Sequence, residues 1–524
     1  MNFDLLIKHS YYLFLVIFII AGCFAAINTG ITHDELHDYY VFEGNKNLIL
    51  NKFFNKSLDT SYIEGLNRFY GSGFHYVSSI LENISTKIIF LKYDYIDTKI
   101  ILSKHISVFI FFFISGLILK KIMKLITNNE SYSQLSTIFY LVYPYLFGHS
   151  LFNVKDIPFL SVWIICTYLF IKIIKKLFIN KKISKKNLFF LSLFTAYLLS
   201  IRISGLLILI QYTIFILVLI NFKKISLFAL IKEHFNQILI FFFLTVLILI
   251  LLHPSYLNNP LLIFDSVIAM SQHIQTVCTI TLGECMPAQN LPSTYLPIWF
   301  FFKLPIVILF GLILFFIVEE KFKKESLSYL ILISLIITVS TIIILLILLN
   351  INLYDEIRQV MFLLPALFII SLFILQTYSK KLFNLLIILN IIFFVFQNIK
   401  LYPYNYIWIN NFSHISKVQS IFELDYWGAS SRNIAEFFNE KKINKSNCII
   451  SNSNDALKPF LSKNQCFNQF KTLHKSKERP FYVALIGRAL DKGVPNGCKI
   501  IHEETRYLNF SKEKLFLARI FRCD

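Results

Sequence analysis

Runs such as "YYLFLVIFIIAGCFAAI" at 11–27 and "STIIILLILL" at 340–349 leave a polypeptide few choices. An apolar helix of about twenty residues matches a hydrocarbon core roughly 30 Å thick, whereas a soluble core rarely needs one so long. Inside that core every backbone N–H and C=O must be satisfied within the segment itself, which selects helices. The pattern recurs at 11–29, 100–119, 135–148, 157–174, 187–203, 205–221, 236–252, 300–318, 327–349, 360–378 and 382–398. The expected class is therefore an all-α polytopic membrane protein with about eleven transmembrane helices. The first run lacks a small-residue cleavage site and is expected to stay as the first span.

The net charge of +20 would suggest a nucleic-acid partner in a soluble protein, but its placement argues against one. Lysines crowd the short loops: Lys120, Lys121 and Lys124, then Lys172, Lys175, Lys176, Lys181, Lys182, Lys185 and Lys186, then Lys223 and Lys224, then Lys321, Lys323 and Lys324, then Lys380 and Lys381. Short loops rich in Lys and Arg stay on the cytoplasmic side. With a cytoplasmic N-terminus, every one of these loops falls on that side. The outer face then receives 30–99, 149–156, 253–299, 350–359 and everything after about 400. The expected partner is the lipid bilayer, not nucleic acid, and the expected location is a bacterial inner membrane.

Past residue 400 the sequence becomes less apolar and alternates, as in "FYVALIG" and "KLFLARIF". The chain divides on this reading into a transmembrane domain, 1–400, and a small soluble α/β domain, 401–524, on the outer face. Six of the eight cysteines lie on that face, two in the loop 253–299 and four in the tail, which suits one loop disulfide and two tail disulfides.

Ionisable groups other than lysine gather at the outer ends of the spans. His33, Asp34, Glu35 and His37 follow the first span; His149, Lys155 and Asp156 precede the fourth; Arg202 sits in "SIRISG"; Tyr354, Asp355, Glu356 and Arg358 precede the tenth. A charge at a span end commonly does no more than mark the interface. The asymmetry is informative here, because acids, bases and guanidiniums share one face. A carboxylate can take a proton from an attacking hydroxyl, and an arginine can hold a phosphate as it leaves. The first-loop cluster also permits a second reading as metal ligands, with oxygen donors favouring magnesium or manganese. The tryptophans Trp299, Trp408 and Trp427 read as interfacial belt residues.

These segments resemble, in order along the chain, the motifs of the large membrane glycosyltransferases of the dolichyl-phosphate-mannose protein mannosyltransferase-like group, the GT-C fold, family 39-like. "HDELHDYY" resembles the first-loop Asp-Glu motif. "KHISVFIFF" resembles an Arg-His start, with Lys104 replacing the arginine. "PYLFGHSLFNVKDIPF" is the closest match, and "HPSYLNNP" with "MSQH", "LPSTYLPIWFFFKLP", "LYDEIRQVMFLLPAL" and "FELDYWGASSRNIAEFF" follow. The resemblance implies a hexosyltransferase that takes a sugar from a polyprenyl-phosphate donor and passes it, with inversion, to a glycan, lipid or protein acceptor at the outer face. It implies catalytic roles for Asp34 (the base), Glu35 and Asp156. If a divalent metal takes part, Asp34 and Asp156 are its implied ligands. Charge and side of the membrane add His33, His149, Lys155, Arg202, Tyr354 and Arg358 as substrate-binding residues. A transporter or flippase of lipid-linked or small anionic solutes is the alternative; it would favour internal repeats and midplane acids, which the sequence does not display.

Overall fold

The computed structural model describes residues 3–88, 95–272, 277–413, 418–441, 443, 447–469, 480–488, 494, 497–508 and 514–524. Among them, eight helices are long and apolar enough to cross a membrane, so the chain is an integral multi-pass protein. The span expected at 300–318 is a broken apolar pair, Tyr295–Lys303 and Ile306–Lys321, bent by 115°. The break falls at Leu304-Pro305: the proline disfavours helical geometry in the residue before it, and Leu304 is extended with ψ of 143°. The other two expected spans are shorter helices. Lys185–Ile201 has 17 residues. The span expected at 135–148 is divided into Glu130–Leu141 and Pro144–Ser150, because Pro144 begins a new helix after the extended Tyr143.

Burial sorts these helices. In Arg358–Tyr378 and Asp156–Phe178 the most apolar windows are 83% and 78% buried, against 17% in Leu227–Leu252, so the first two form the centre and the last faces lipid. Side-chain polar groups tie the central helices together: Trp163 Nε1 donates to Gln211 Oε1 at 3.0 Å, and Gln211 Nε2 donates to Thr167 Oγ1 at 2.8 Å. Such bonds give direction to packing that apolar contact alone leaves loose in a bilayer.

The tail carries a five-stranded mixed sheet. We label the strands of the chain β1 (Cys278–Thr281), β2 (Glu284–Pro287), β3 (Ile449–Ser451), β4 (Phe467–Gln469), β5 (Phe481–Ile486), β6 (Lys499–Tyr507) and β7 (Lys514–Cys523). The tail order is β4-β3-β5-β7-β6, with β3 parallel to β4 and β5 while β7 is antiparallel to β5 and β6. Every residue of β5 is buried, as expected of a central strand covered on both faces. Cysteines pair as Cys278–Cys285, across the hairpin of β1 and β2, and as Cys448–Cys466 and Cys498–Cys523 in the tail. That is the one loop bridge and two tail bridges expected. The hairpin and the short β4 are elements that the alternation pattern does not reveal.

The tail is seated on the membrane body. Ile31, Ile101 and Leu102 share one apolar cluster with Ile434, Phe438 and Ile486. Around it Thr98 Oγ1 donates to the Pro459 carbonyl at 2.9 Å, Ser431 Oγ to the Ile31 carbonyl at 2.9 Å, and Arg432 to the Ile27 carbonyl at 3.0 Å. The helix Ile96–Thr127 therefore begins against the tail and carries Lys120, Lys121 and Lys124 at its far end.

Gly148 marks a close approach between the body and the start of the tail. A Cβ there would lie 2.0 Å from the backbone nitrogen of Tyr406, in the turn Asn405–Ile407. Backbone cannot yield as a flexible side chain can, so Gly148→Ala is expected to lower the unfolding free energy by about 2 kcal/mol. Unfolding of the detergent-solubilised protein measures this, and an unchanged midpoint would show that the two segments can separate freely.

Candidate functional site

Four separate loops converge between the body and the tail: the first loop, the turn before Asp156–Phe178, the turn at Arg202, and 351–358. They enclose a cavity of about 540 Å³. Its polar wall includes His33, Asp34, Lys155, Arg202, Tyr354 and Arg358, all six expected from sequence. Its apolar flank runs along Leu206, Leu207, Leu345, Leu346 and Leu349. The cavity is thus amphipathic, its lining combining charged and leucine side chains.

Asp34 and Glu35 look alike in sequence and face opposite ways. Asp34 holds the N-cap position of Glu35–Phe54, yet its side chain makes no capping bond. Its carboxylate is 53% exposed and looks into the cavity. Glu35 is buried: Oε1 accepts from the Thr32 backbone N–H and hydroxyl, both at 2.7 Å, and Oε2 lies 2.5 Å from His105 Nε2. It knots the first loop onto Ile96–Thr127 and is absent from the cavity wall.

Arg358 is the centre of the charge network. Its guanidinium lies 3.2 Å from Asp355, 3.7 Å from Asp156 and 3.9 Å from Asp34, and stacks over Tyr354 and Trp427 at 4.8 and 5.0 Å. Its buried Nε has no hydrogen-bond partner among the described residues. Asp156 sits just behind the wall, bonded to Arg202 as well as facing Arg358. Asn153 aims it, donating to Asp156 Oδ2 at 3.1 Å while accepting from the Asp156 N–H at 2.8 Å. The same amide donates to His149 Nδ1 at 3.1 Å, leaving His149 Nε2 for the Tyr426 hydroxyl at 3.3 Å. His149 is therefore fully buried in a relay behind the cavity, not in its wall.

Lys155 stands 2.5 Å from Asp38 and over the ring of Tyr70. Burial alone would lower the Lys155 ammonium, but Asp38 holds it above its usual value. Burial keeps the His33 imidazole below its usual value, with Asp34 pulling the other way. Lys104 is buried outside the cavity wall, paired with Glu82 at 2.9 Å.

Asp355 and Glu356 both adopt left-handed backbone, φ 59° and 65°. For side chains other than glycine this costs about 1–2 kcal/mol each. Neighbours hold the pair there: Asp355 N–H donates to Thr279 Oγ1 and Glu356 N–H to the Tyr295 hydroxyl, each at 3.0 Å, and Glu356 meets Lys303 at 2.7 Å. The result points Asp355 at Arg358 and Glu356 into the body.

Sequence reading missed Arg488, which follows β5 and reaches the wall from the tail. Nothing near it in sequence marks it. The three tryptophans are corrected too. Trp299, Trp408 and Trp427 are all buried, not belt residues, and Trp299 donates to Thr281 Oγ1 at 3.0 Å. No group of three or more His, Cys, Asp or Glu side chains among the described residues is disposed to hold a metal. Asp34 and Asp156 both face the guanidinium of Arg358, so the donor set does not fit a metal between them. His273 of "MSQH" lies outside the described residues.

No family model matches this sequence. No curated protein matches it either. Among solved structures the chain is similar to ArnT from Cupriavidus metallidurans, in the apo state (8% identity) and bound to undecaprenyl phosphate (9% identity). Each alignment covers 98% of both chains at a TM-score of 0.48.

Two predictions follow from the buried carboxyls. Removing Glu35 leaves His105 and Thr32 without their partner inside the protein, so Glu35→Ala should cost about 3 kcal/mol of stability. Chemical unfolding checks this, and a stability equal to the parent's would show that the knot is dispensable. Burial also pushes Glu423 up to about 7 and Asp425 up to about 6. Between roughly pH 4 and 7 the folded state then binds more protons than the unfolded one, so stability falls as pH rises. The melting temperature should be higher at pH 5 than at pH 8, with a shallower slope in Asp425→Asn and Glu423→Gln; an identical slope in both variants would assign the effect elsewhere.

Proposed function

We propose that the chain is a membrane glycosyltransferase that takes a sugar from a polyprenyl-phosphate donor and passes it to an acceptor at the outer face of a cell membrane. The observation that carries this reading is one cavity lined both by guanidiniums, Arg358 and Arg202, and by the leucines Leu206, Leu207, Leu345, Leu346 and Leu349. A lipid phosphate combines the same two chemistries. The ordered motifs support the same reading, as does the mixture of acid, imidazole and guanidinium on one wall.

In this proposal the polyprenyl chain lies along Leu206, Leu207, Leu345, Leu346 and Leu349, and its phosphate meets Arg358 and Arg202. Asp34 takes the proton from the acceptor hydroxyl as the oxygen attacks the anomeric carbon. The bond from that carbon to the phosphate oxygen breaks with its electron pair on the phosphate, which inverts the anomeric centre. The lipid phosphodiester carries one negative charge and leaves with a second, and guanidiniums already in place stabilise the difference without reorganising. Lys155, His33 and Tyr354 line the sugar's surroundings. Asp156 serves by orienting the two arginines, and Glu35 by shaping the loop that presents Asp34. These steps use no metal.

The lysine-rich far end of Ile96–Thr127 supports a cytoplasmic N-terminus under the positive-inside rule. Three disulfides, two in the tail and one in the hairpin of β1 and β2, support an oxidising compartment for this face, such as the outer side of a bacterial inner membrane.

The test offers radiolabelled polyprenyl-phosphate sugars, with a panel of glycan, lipid and peptide acceptors, to the purified protein. Asp34→Asn should reduce transfer by about 100-fold or more at unchanged melting temperature. Arg358→Ala should weaken donor binding by about tenfold to a hundredfold. Full activity in Asp34→Asn would remove that carboxylate from the mechanism. Donor that binds but never turns over would point to transport.

A further inference from the structure

We propose that Arg488 is a positioning residue through which the tail domain completes the phosphate-binding part of the cavity, by holding Asp355 against Arg358. The inference rests on the transferase reading for its ligand, but not for its geometry. Three observations lead to it. The first is how the chain delivers the side chain. The fully buried strand β5 ends at Ile486, and Gly487 takes φ 72°, a conformation that glycine adopts without the usual steric cost. That turn, bonded from Gly487 N–H to the Leu517 carbonyl at 3.0 Å, sends Arg488 back toward the membrane body.

The second observation is what Arg488 touches. One guanidinium nitrogen bonds Asp355 Oδ1, and the other donates to the Cys278 carbonyl at 3.2 Å. Asp355 uses its second oxygen, Oδ2, for Arg358 at 3.2 Å. One carboxylate thus joins a guanidinium of the tail to a guanidinium of the body.

The third observation is strain. Asp355 and Glu356 are held in left-handed backbone, so the orientation of the Asp355 carboxylate must be over-determined by its surroundings. Thr279 holds its N–H, and Arg488 holds its side chain. The hairpin of β1 and β2 supplies both the Thr279 hydroxyl and the Cys278 carbonyl, so it acts as the frame on which tail and body are aligned. Without Arg488 the Asp355 carboxylate is free to turn, and Arg358 loses its nearest partner.

The experiment uses the full chain in detergent or nanodiscs, with a polyprenyl monophosphate carrying no sugar as the probe. Arg488→Ala and Asp355→Asn should each weaken its binding by about tenfold, and the double variant should be no worse than either single one. Arg488→Lys keeps the charge but not the fork that spans carboxylate and carbonyl, so it should recover only part of the loss. Equal binding by parent and Arg488→Ala, additive losses in the double variant, or complete recovery in Arg488→Lys would each overturn the proposal. Modification of Arg358 by phenylglyoxal, followed by peptide mass spectrometry, reads the positioning without any lipid. It should be faster in Arg488→Ala at an unchanged melting temperature, and an unchanged rate would also overturn the proposal. Failure of the parent protein to bind the lipid phosphate would sink the transferase reading, while the Arg358 modification rate would still decide the role of Arg488. Arg488→Gln replaces Arg488→Ala in both measurements if the alanine variant does not fold.

Discussion

Arg358 is a full positive charge withdrawn from water at the mouth of an apolar helix bundle. A buried cation of this kind is tolerated only beside opposite charge, since its desolvation costs several kcal/mol. Three carboxylates meet that demand, and they arrive from three separate parts of the chain: Asp34 after the first span, Asp156 at the start of the helix Asp156–Phe178, and Asp355 three residues upstream of the arginine. Bringing them together requires the first loop, the central helices and the turn at 351–358 to sit where they do. The knot of Glu35 on His105, the relay through Asn153 and the strained backbone at Asp355 are the local devices that hold each one in place.

Much of this was legible in the sequence because membrane and charge act as independent filters. Apolar runs locate the helices, and the exclusion of charge from them concentrates every informative side chain at their ends. Six of the proposed binding or catalytic residues accordingly line one cavity. What the sequence could not resolve depends on direction. Asp34 and Glu35 are neighbours of nearly equal chemistry, yet adjacent residues at a helix start point roughly 100° apart. One looks into the cavity, and the other turns to Thr32 and His105. His149, at the end of the helix Pro144–Ser150 and six residues before Lys155, likewise faces backward. Arg488 lies 133 residues from its carboxylate partner, with only the tail's sheet to connect them. The tryptophans mislead for a related reason: their position near span ends suits the interface, while the packing of tail against body makes that end an interior.

The tail is therefore a wall of the cavity as well as a cap over it. Ile31 from the first loop packs in the same apolar cluster as Ile434 and Ile486 of the tail, and Trp427 accepts the His33 N–H at its carbonyl, at 3.4 Å. The loop carrying Asp34 is thus braced from above by the tail and from below by Glu35. A flexible first loop would pay conformational entropy each time it presented its carboxylate, and this bracing removes that cost beforehand.

The three distances around Arg358 then suggest how the charge network would respond to a ligand under the proposed function. Asp355 is nearest and is held by Arg488, and Asp156 is shared with Arg202 and buried. Asp34 is farthest, at 3.9 Å, and half exposed. An incoming phosphate needs a face of the guanidinium, and the contact that yields at least cost is the one to Asp34, whose oxygen can turn to water or to a hydroxyl. Donor binding at Arg358 and the orientation of Asp34 would in this way be coupled through one guanidinium, so that the carboxylate turns toward an acceptor hydroxyl as the phosphate takes its place.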